Sequence, residues 1–365
     1  MRRFTIILAG LILCLGISQA KCKSLRVMSY NIRIGIGMDG KTVNMDLWEY
    51  TKLEDGNYGL NDAESLADNG IKTTGYIGEI IDGKIEGTVP KYIKDENDDD
   101  FFEVTNMAYS FFNNKELIEA PEIPDGVTNI RALFNSCENL TTVNNLPQNT
   151  INMFGTFANC KKIKQVPRIP ENVQNMFGTF MGCTSITEAP NIPSKVTDMS
   201  HTFQECTGIQ ETPNIPSEVA EMAYTFSGCT GIKESPEIPN GVTNISYMFD
   251  RCTNLSKAPI IPETVTKMYY TFNGCINLTK APIIPKSVTV LCATFKGCSR
   301  LQGELEINAS VTGKQFGEEW FNNIDYNNCL LNACTEKGLT LKVTGTCTVL
   351  DKIVENANNV NITIK

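Results

Sequence analysis

The chain predicts a repeat solenoid: a stack of short parallel strands and turns or short helices, with β-rich caps at both ends. Two regularities carry that expectation. Phe111, Phe134, Phe157, Phe180, Phe203, Phe226, Phe249, Phe272 and Phe295 recur every 23 residues without a slip. From Phe134 onward each is followed three places later by a cysteine: Cys137, Cys160, Cys183, Cys206, Cys229, Cys252, Cys275 and Cys298. A repeat this short cannot close its own core, so each unit must bury its apolar side against the next.

In chain order, residues 1–20 read as a signal peptide. Met1-Arg2-Arg3 is a basic start, Phe4 to Gly16 an apolar run, and Ser18-Gln19-Ala20 a small-x-small cleavage site. Thirteen residues are too few to span a bilayer, which takes about 20, and Leu13 before Cys14 is bulky for a lipidation site. Residues 21–88 form an N-terminal segment and β-rich cap, needed because an end coil otherwise exposes its apolar face. Residues 89–301 are the solenoid. Val89-Pro90 opens a half coil that Val104, Met107 and Phe111 complete after an acidic insertion, Lys94-Asp95-Glu96-Asn97-Asp98-Asp99-Asp100. Eight 23-residue repeats follow from Leu117 to Cys298. Residues 302–365 are the closing cap, with alternating polar and apolar residues in 338–349 and 359–365.

Within a repeat such as Ile186 to Cys206, the frame is Leu or Ile, Pro, Ile-Pro, Val, Met or Ile, Phe and Cys. The prolines fix φ and remove ladder donors, so in the short extended stretch across Leu-x-x-x-Pro-x-Ile each should sit with its nitrogen facing away from the neighbouring rung or at the strand's edge. The Val-x-x-Met-x-x-x-Phe spacing puts three apolar residues on one side of a helical or 3-10 turn. Burying six positions per coil contributes about 1.5–3 kcal/mol each before chain ordering is subtracted. Copy two is the loosest, with Asn144 where others have proline and Thr150 where others have valine.

This frame resembles the BspA-like branch of bacterial leucine-rich repeats, with its Ile-Pro pairs (Ile123-Pro124 through Ile284-Pro285), its Thr-Phe pairs (Thr156-Phe157, Thr202-Phe203, Thr294-Phe295) and its cysteines. The resemblance covers half the chain. It departs in an added Ala-Pro, as at Ala189-Pro190, which lengthens the coil. It implies an exported surface protein that binds other proteins or cells.

Composition narrows the chemistry. A net charge of −9 argues against a nucleic-acid surface. With His201 as the single histidine, His-based catalytic and metal sites are largely excluded. A segment at 25–40, LRVMSYNIRIGIGMDG, resembles the opening strand of the endonuclease/exonuclease/phosphatase family, where Asn31 would match a metal-holding asparagine. The acidic, His-Asp and Ser-Asp-His partners of that family do not follow, and one asparagine supplies neither a base nor a metal cage. The acidic tract lacks calcium-loop spacing and reads as a solvated loop. The cysteine ladder lacks zinc-type pairs, and stacked equivalents point the same way, so buried thiols are expected. Cys329, Cys334 and Cys347 are better disulfide candidates, and Cys292 is an extra that can pair with a ladder member. His201, between Met199 and Phe203, reads as a surface residue.

The expected function is therefore that of an exported, non-catalytic, adhesin-like leucine-rich-repeat protein, secreted or at the cell surface, presenting an extended surface to a host or neighbouring-cell protein or glycan. No catalytic, cofactor or metal residue is assigned, no cofactor, nucleic acid or membrane insertion is expected, and the competing reading is a metal-dependent phosphoesterase based on 25–40.

Overall fold

The computed structural model describes residues 34–37, 42–52, 58–59, 75–94, 101–308, 339–343 and 363–364, all within the unit Arg33–Lys365. The signal segment, Asn31, the acidic tract at 95–100, Cys329, Cys334 and Cys347 lie outside the described residues.

From Met107 onward the chain winds in coils whose turns superimpose. Turn chemistry explains each corner. Val196 donates its N–H to the Pro193 carbonyl at 3.2 Å, so the Ile-Pro-x-x-Val spacing closes one turn. Cys206 donates to Phe203 at 3.0 Å and Ile209 to Cys206 at 3.3 Å, closing the next two. Of the helical or 3-10 turn expected from the Val-x-x-Met-x-x-x-Phe spacing, this segment forms turns closed by bonds three residues back, with no continuous helix. In every coil two residues four apart take left-handed backbone: Tyr109 and Asn113 (φ 65° and 57°), His201 and Glu205 (57° and 60°), Tyr247 and Arg251 (56° and 57°). A right-handed helix cannot pass through such residues.

The reward for this strained backbone is complete pairing. Met199, His201, Phe203 and Glu205 donate N–H bonds to Glu221, Ala223, Thr225 and Ser227 of the next coil at 3.0, 2.9, 2.9 and 2.7 Å. The intervening Thr202, Gln204 and Cys206 donate three residues back, at 3.0, 3.1 and 3.0 Å. Each of these N–H groups thus finds a carbonyl, as a buried backbone requires. The left-handed step is prepared by a capping side chain: Oδ1 of Asn129, Asn152, Asn175, Asp198 and Asn244 accepts the N–H two residues on, at 2.8–3.0 Å. These residues, with Glu221 in the equivalent place, make the single parallel bridges that link coil to coil, Asn129↔Asn152↔Asn175↔Asp198↔Glu221↔Asn244. Across the proline-rich stretch the pairing shrinks to scattered bridges such as Glu234↔Lys257, because proline offers no donor.

The core repeats with the coil. The nine phenylalanine rings from Phe111 to Phe295 are fully buried and stack at 5.5–5.9 Å with planes within 13°. Cysteines and threonines serve the backbone around them. Sγ of Cys206 donates to the Phe180 carbonyl at 3.0 Å, and the bond recurs from Cys137 to Cys298 at 3.0–3.1 Å. Oγ1 of Thr202 likewise donates to the Met176 carbonyl at 2.9 Å, as do Thr156, Thr179, Thr225, Thr271 and Thr294 to their equivalents.

Sheets adjoin both ends of the coils. Strands β1 (Ile34–Gly37), β2 (Thr42–Asn44), β3 (Thr51–Lys52), β4 (Tyr58–Gly59), β7 (Pro90–Lys94) and β8 (Phe101–Asn106) form one sheet in the order β2-β1-β7-β8-β4-β3. A hairpin of β5 (Ile80–Ile81) and β6 (Lys84–Ile85) lies between. Strand β8 runs into the first turn, and Asn106 at its end bridges Asn129. Buried Trp48 and Tyr76 lie against Phe111, each 5.8 Å away, so the first ring of the stack is covered. At the other end β9 (Gly303–Ile307) pairs in parallel with β10 (Leu339–Val343), which pairs with β11 (Thr363–Ile364). Ile307 bridges Ile284 of the last coil.

Candidate functional site

A second aromatic stack, on the outside of the turns, is the feature that sequence reasoning missed. The left-handed position two residues after the Met or Ile carries His201, Tyr224, Tyr247 and Tyr270 in four successive coils. Earlier coils have glycine there, Gly155 and Gly178, and the preceding Phe154 and Phe177 fill the space. The rings form a continuous half-buried strip. Phe154 stacks on Phe177 at 4.7 Å and Phe177 meets His201 at 4.8 Å. His201 stacks on Tyr224 at 4.4 Å, Tyr224 on Tyr247 at 4.3 Å, and Tyr247 on Tyr270 at 5.0 Å. Tyr269 leans against both Tyr247 and Tyr270 at 66° and 59°. The Arg131 guanidinium lies 4.4 Å over Phe154, and the Lys296 ammonium 5.9 Å from Tyr270.

Charge is scarce on this face. The nine turns from Ala108 to Cys298 carry only Arg131, Glu205, Asp250, Arg251 and Lys296, whereas 20% of the whole chain is charged. The acids are largely neutralised in place. Arg251 bridges Glu205 two coils away at 2.8 Å and Asp250 at 3.1 Å, and Asn273 donates to Asp250 at 2.6 Å. Gly228, between the two coils, allows this reach: a Cβ there would sit 2.7 Å from the Glu205 carboxylate. Burial pushes the phenols of Tyr224, Tyr247, Tyr269 and Tyr270 up, so they stay protonated and keep a hydroxyl donor at the surface.

His201 is half-buried between two rings, with Nδ1 2.6 Å from Gln204 Oε1, and is part of the strip rather than an isolated surface side chain. The thiols of Cys137 through Cys275 are free and buried, so Cys292 bridges none of them. Desolvation pushes Cys137 and Cys206 up to about 12 despite their backbone hydrogen bonds, which removes nucleophilic character. Among the described residues no group of three or more His, Cys, Asp or Glu side chains is placed to hold a metal ion, and no helix is long and apolar enough to cross a membrane. The phosphoesterase-like segment contributes β1 to the first sheet through its residues 34–37.

The strip's signal was present in sequence as Met-x-His, Met-x-Tyr and Ile-x-Tyr before each Thr-Phe or Met-Phe. A hydropathy frame treats tyrosine, histidine and glycine at one position as free variation.

Comparison with known proteins agrees with this architecture. The model of the BspA type leucine rich repeat region matches residues 105–233 and 222–337, in six copies. A leucine-rich repeat protein from Bacteroides ovatus ATCC 8483 superposes with a TM-score of 0.57 at 19% identity, over 88% of this chain and 76% of that one. A leucine rich cell surface protein from Faecalibacterium prausnitzii A2-165 gives 0.38 at 17% identity over 86% and 97%. The leucine rich repeat protein of T. pallidum gives 0.34 at 14% over 89% and 100%. At 19% identity the Bacteroides ovatus likeness speaks for the fold alone. No curated protein matches the chain. The family model covers well over half of the sequence, and the chain belongs to the BspA type leucine-rich repeat proteins.

Proposed function

We propose that this protein is exported, carries no catalytic centre and works at the cell surface or outside the cell as an adhesin-like binder of a macromolecular partner. Its binding face is the outer aromatic strip from Phe154 to Tyr270. The observation that supports this reading is the composition of that face. Interface cores are poor in charge and rich in Tyr, Phe and Arg, and tyrosine with Ser, Gly and Asn gives contact area at low entropic cost. The strip has that make-up within a chain of net charge −9, and stacking holds its rings in place before any partner arrives. Residues 1–20 act as the signal peptide, residues 21–88 and 302–365 as caps that shield the ends of the 89–301 solenoid. The partner is a protein or glycan of a host or neighbouring cell.

The test is adhesion of protein-coated beads to host epithelial cells and to purified matrix proteins. The native protein is expected to bind, and Tyr224→Ala with Tyr247→Ala to reduce capture at least about tenfold, the loss of two aromatic anchors. Undiminished capture by a folded double variant removes the strip from the function.

A further inference from the structure

We propose that the partner seated on the central part of the strip is a second copy of this chain, docked antiparallel; this rests on the strip being the binding face. Two independent features point there. The first is pitch. The strip offers a ring edge at every coil, 4.3–5.0 Å apart. A partner meets every rung only if it repeats at the same spacing, and this chain's own strip does. Side-chain ladders in register are how stacked β-structures build dry interfaces. The ring faces are used in stacking, so what remains outward are edges and hydroxyls, which suit edge-to-face packing against other rings and leave little for a sugar ring to stack on.

The second feature is self-complementarity. A two-fold axis lying in the interface and crossing the strip at Tyr224 pairs each coil with its mirror in order. Tyr224 meets Tyr224 of the second copy. His201, one coil before, meets Tyr247 of the second copy, one coil after. Glu205 and Arg251 share the same place in their turns, the second left-handed residue, and lie one coil to either side of Tyr224. The axis therefore sets Glu205 against Arg251 of the second copy, twice. Phe177 falls opposite Tyr269 in the same way. From Phe154 to Tyr270 the strip spans five coil steps, about 24 Å at ordinary strand spacing. A standard interface of about 800 Å² per partner therefore takes in the turn residues flanking the rings as well as the strip itself.

The test is a charge swap read by sedimentation velocity of the purified protein at tens of micromolar. The native protein is expected to sediment as a dimer. Arg251→Glu and Glu205→Arg, each alone, place like charges opposite one another and weaken association about tenfold or more. Mixing the two variants restores Glu-to-Arg contacts across the axis, so a mixed dimer is expected to form. Loss of the in-chain bridge cannot produce that rescue, because each variant remains like-charged within itself. Thermal melts of both variants establish that they fold, and Tyr224→Lys, on the axis, gives a second way to break the dimer. A native protein that stays at the mass of one chain, unchanged dimerisation of the single variants, or no rescue on mixing overturns the proposal. A monomer that still adheres through Tyr224 and Tyr247 sinks the second copy alone and leaves the binding face standing; a dimer that adheres to nothing keeps the strip and the second copy and removes the host or neighbouring-cell partner.

Discussion

At the scale of single residues, the repeat shows its rules best where it breaks them. Thr150 stands where the other full repeats have valine; it is fully buried, and its hydroxyl has no hydrogen-bond partner. A buried unsatisfied hydroxyl costs about 1–3 kcal/mol. Thr150→Val is isosteric and should stabilise the protein by about 1–2 kcal/mol, seen as a higher urea midpoint at constant slope; an unchanged or lower midpoint would show that the hydroxyl is satisfied in solution. The threonines before the core phenylalanines are the contrast. Thr225 is equally buried, but its Oγ1 donates to Met199 and Met222 carbonyls at 3.0 and 2.8 Å. Sequence made the core phenylalanines, cysteines and aliphatic residues legible, since burial follows the period. It did not show why threonine and cysteine recur: both supply a hydrogen to a carbonyl of the preceding coil, a role hydropathy does not register.

A coil is the element, and its geometry was only half readable. Apolar spacing compatible with a helix turned out to mark a turn with two left-handed residues. Glycine holds some of those positions (Gly155, Gly178, Gly182, Gly228, Gly274 and Gly297), but residues such as Tyr247 and Arg251 hold others, so a glycine pattern flags them only in part. The capping asparagines before the turn were the available clue, through their habit of accepting the N–H two residues on. The backbone pairing also fixes how coils can be edited. Each turn donates to carbonyls one coil ahead (His201 to Ala223, Phe203 to Thr225), so joining Cys206 directly to Thr230 keeps every donor facing an acceptor of the same type. That excision is expected to leave a cooperative melt and an unchanged circular dichroism shape. Removing one residue fewer shifts the join out of frame and should abolish cooperativity; equal behaviour of the two would mean that register is not what holds the stack.

For the whole molecule, the buried thiols set a limit on alkaline stability. Desolvation raises Cys137 and Cys206 to about 12 from an ordinary thiol value of about 9, and pushes Cys160, Cys183, Cys229 and Cys275 well above it. Above pH 9 the unfolded chain loses these protons while the folded chain keeps them. The unfolded state then binds fewer protons, so stability falls as pH rises through 9 toward 12. Urea midpoints should be level near neutrality and drop steeply between pH 8 and pH 10, and the thiols should resist alkylation until the chain unfolds. A flat profile would place the thiols in contact with water.

The unslipped 23-residue register has a consequence for inheritance. Units that share one residue frame and one length can be gained or lost by unequal crossing-over, and each exchange that adds or drops a whole unit leaves an open frame and a foldable product. Populations carrying this gene should therefore differ in how many units they encode far more readily than in the spacing within any one of them.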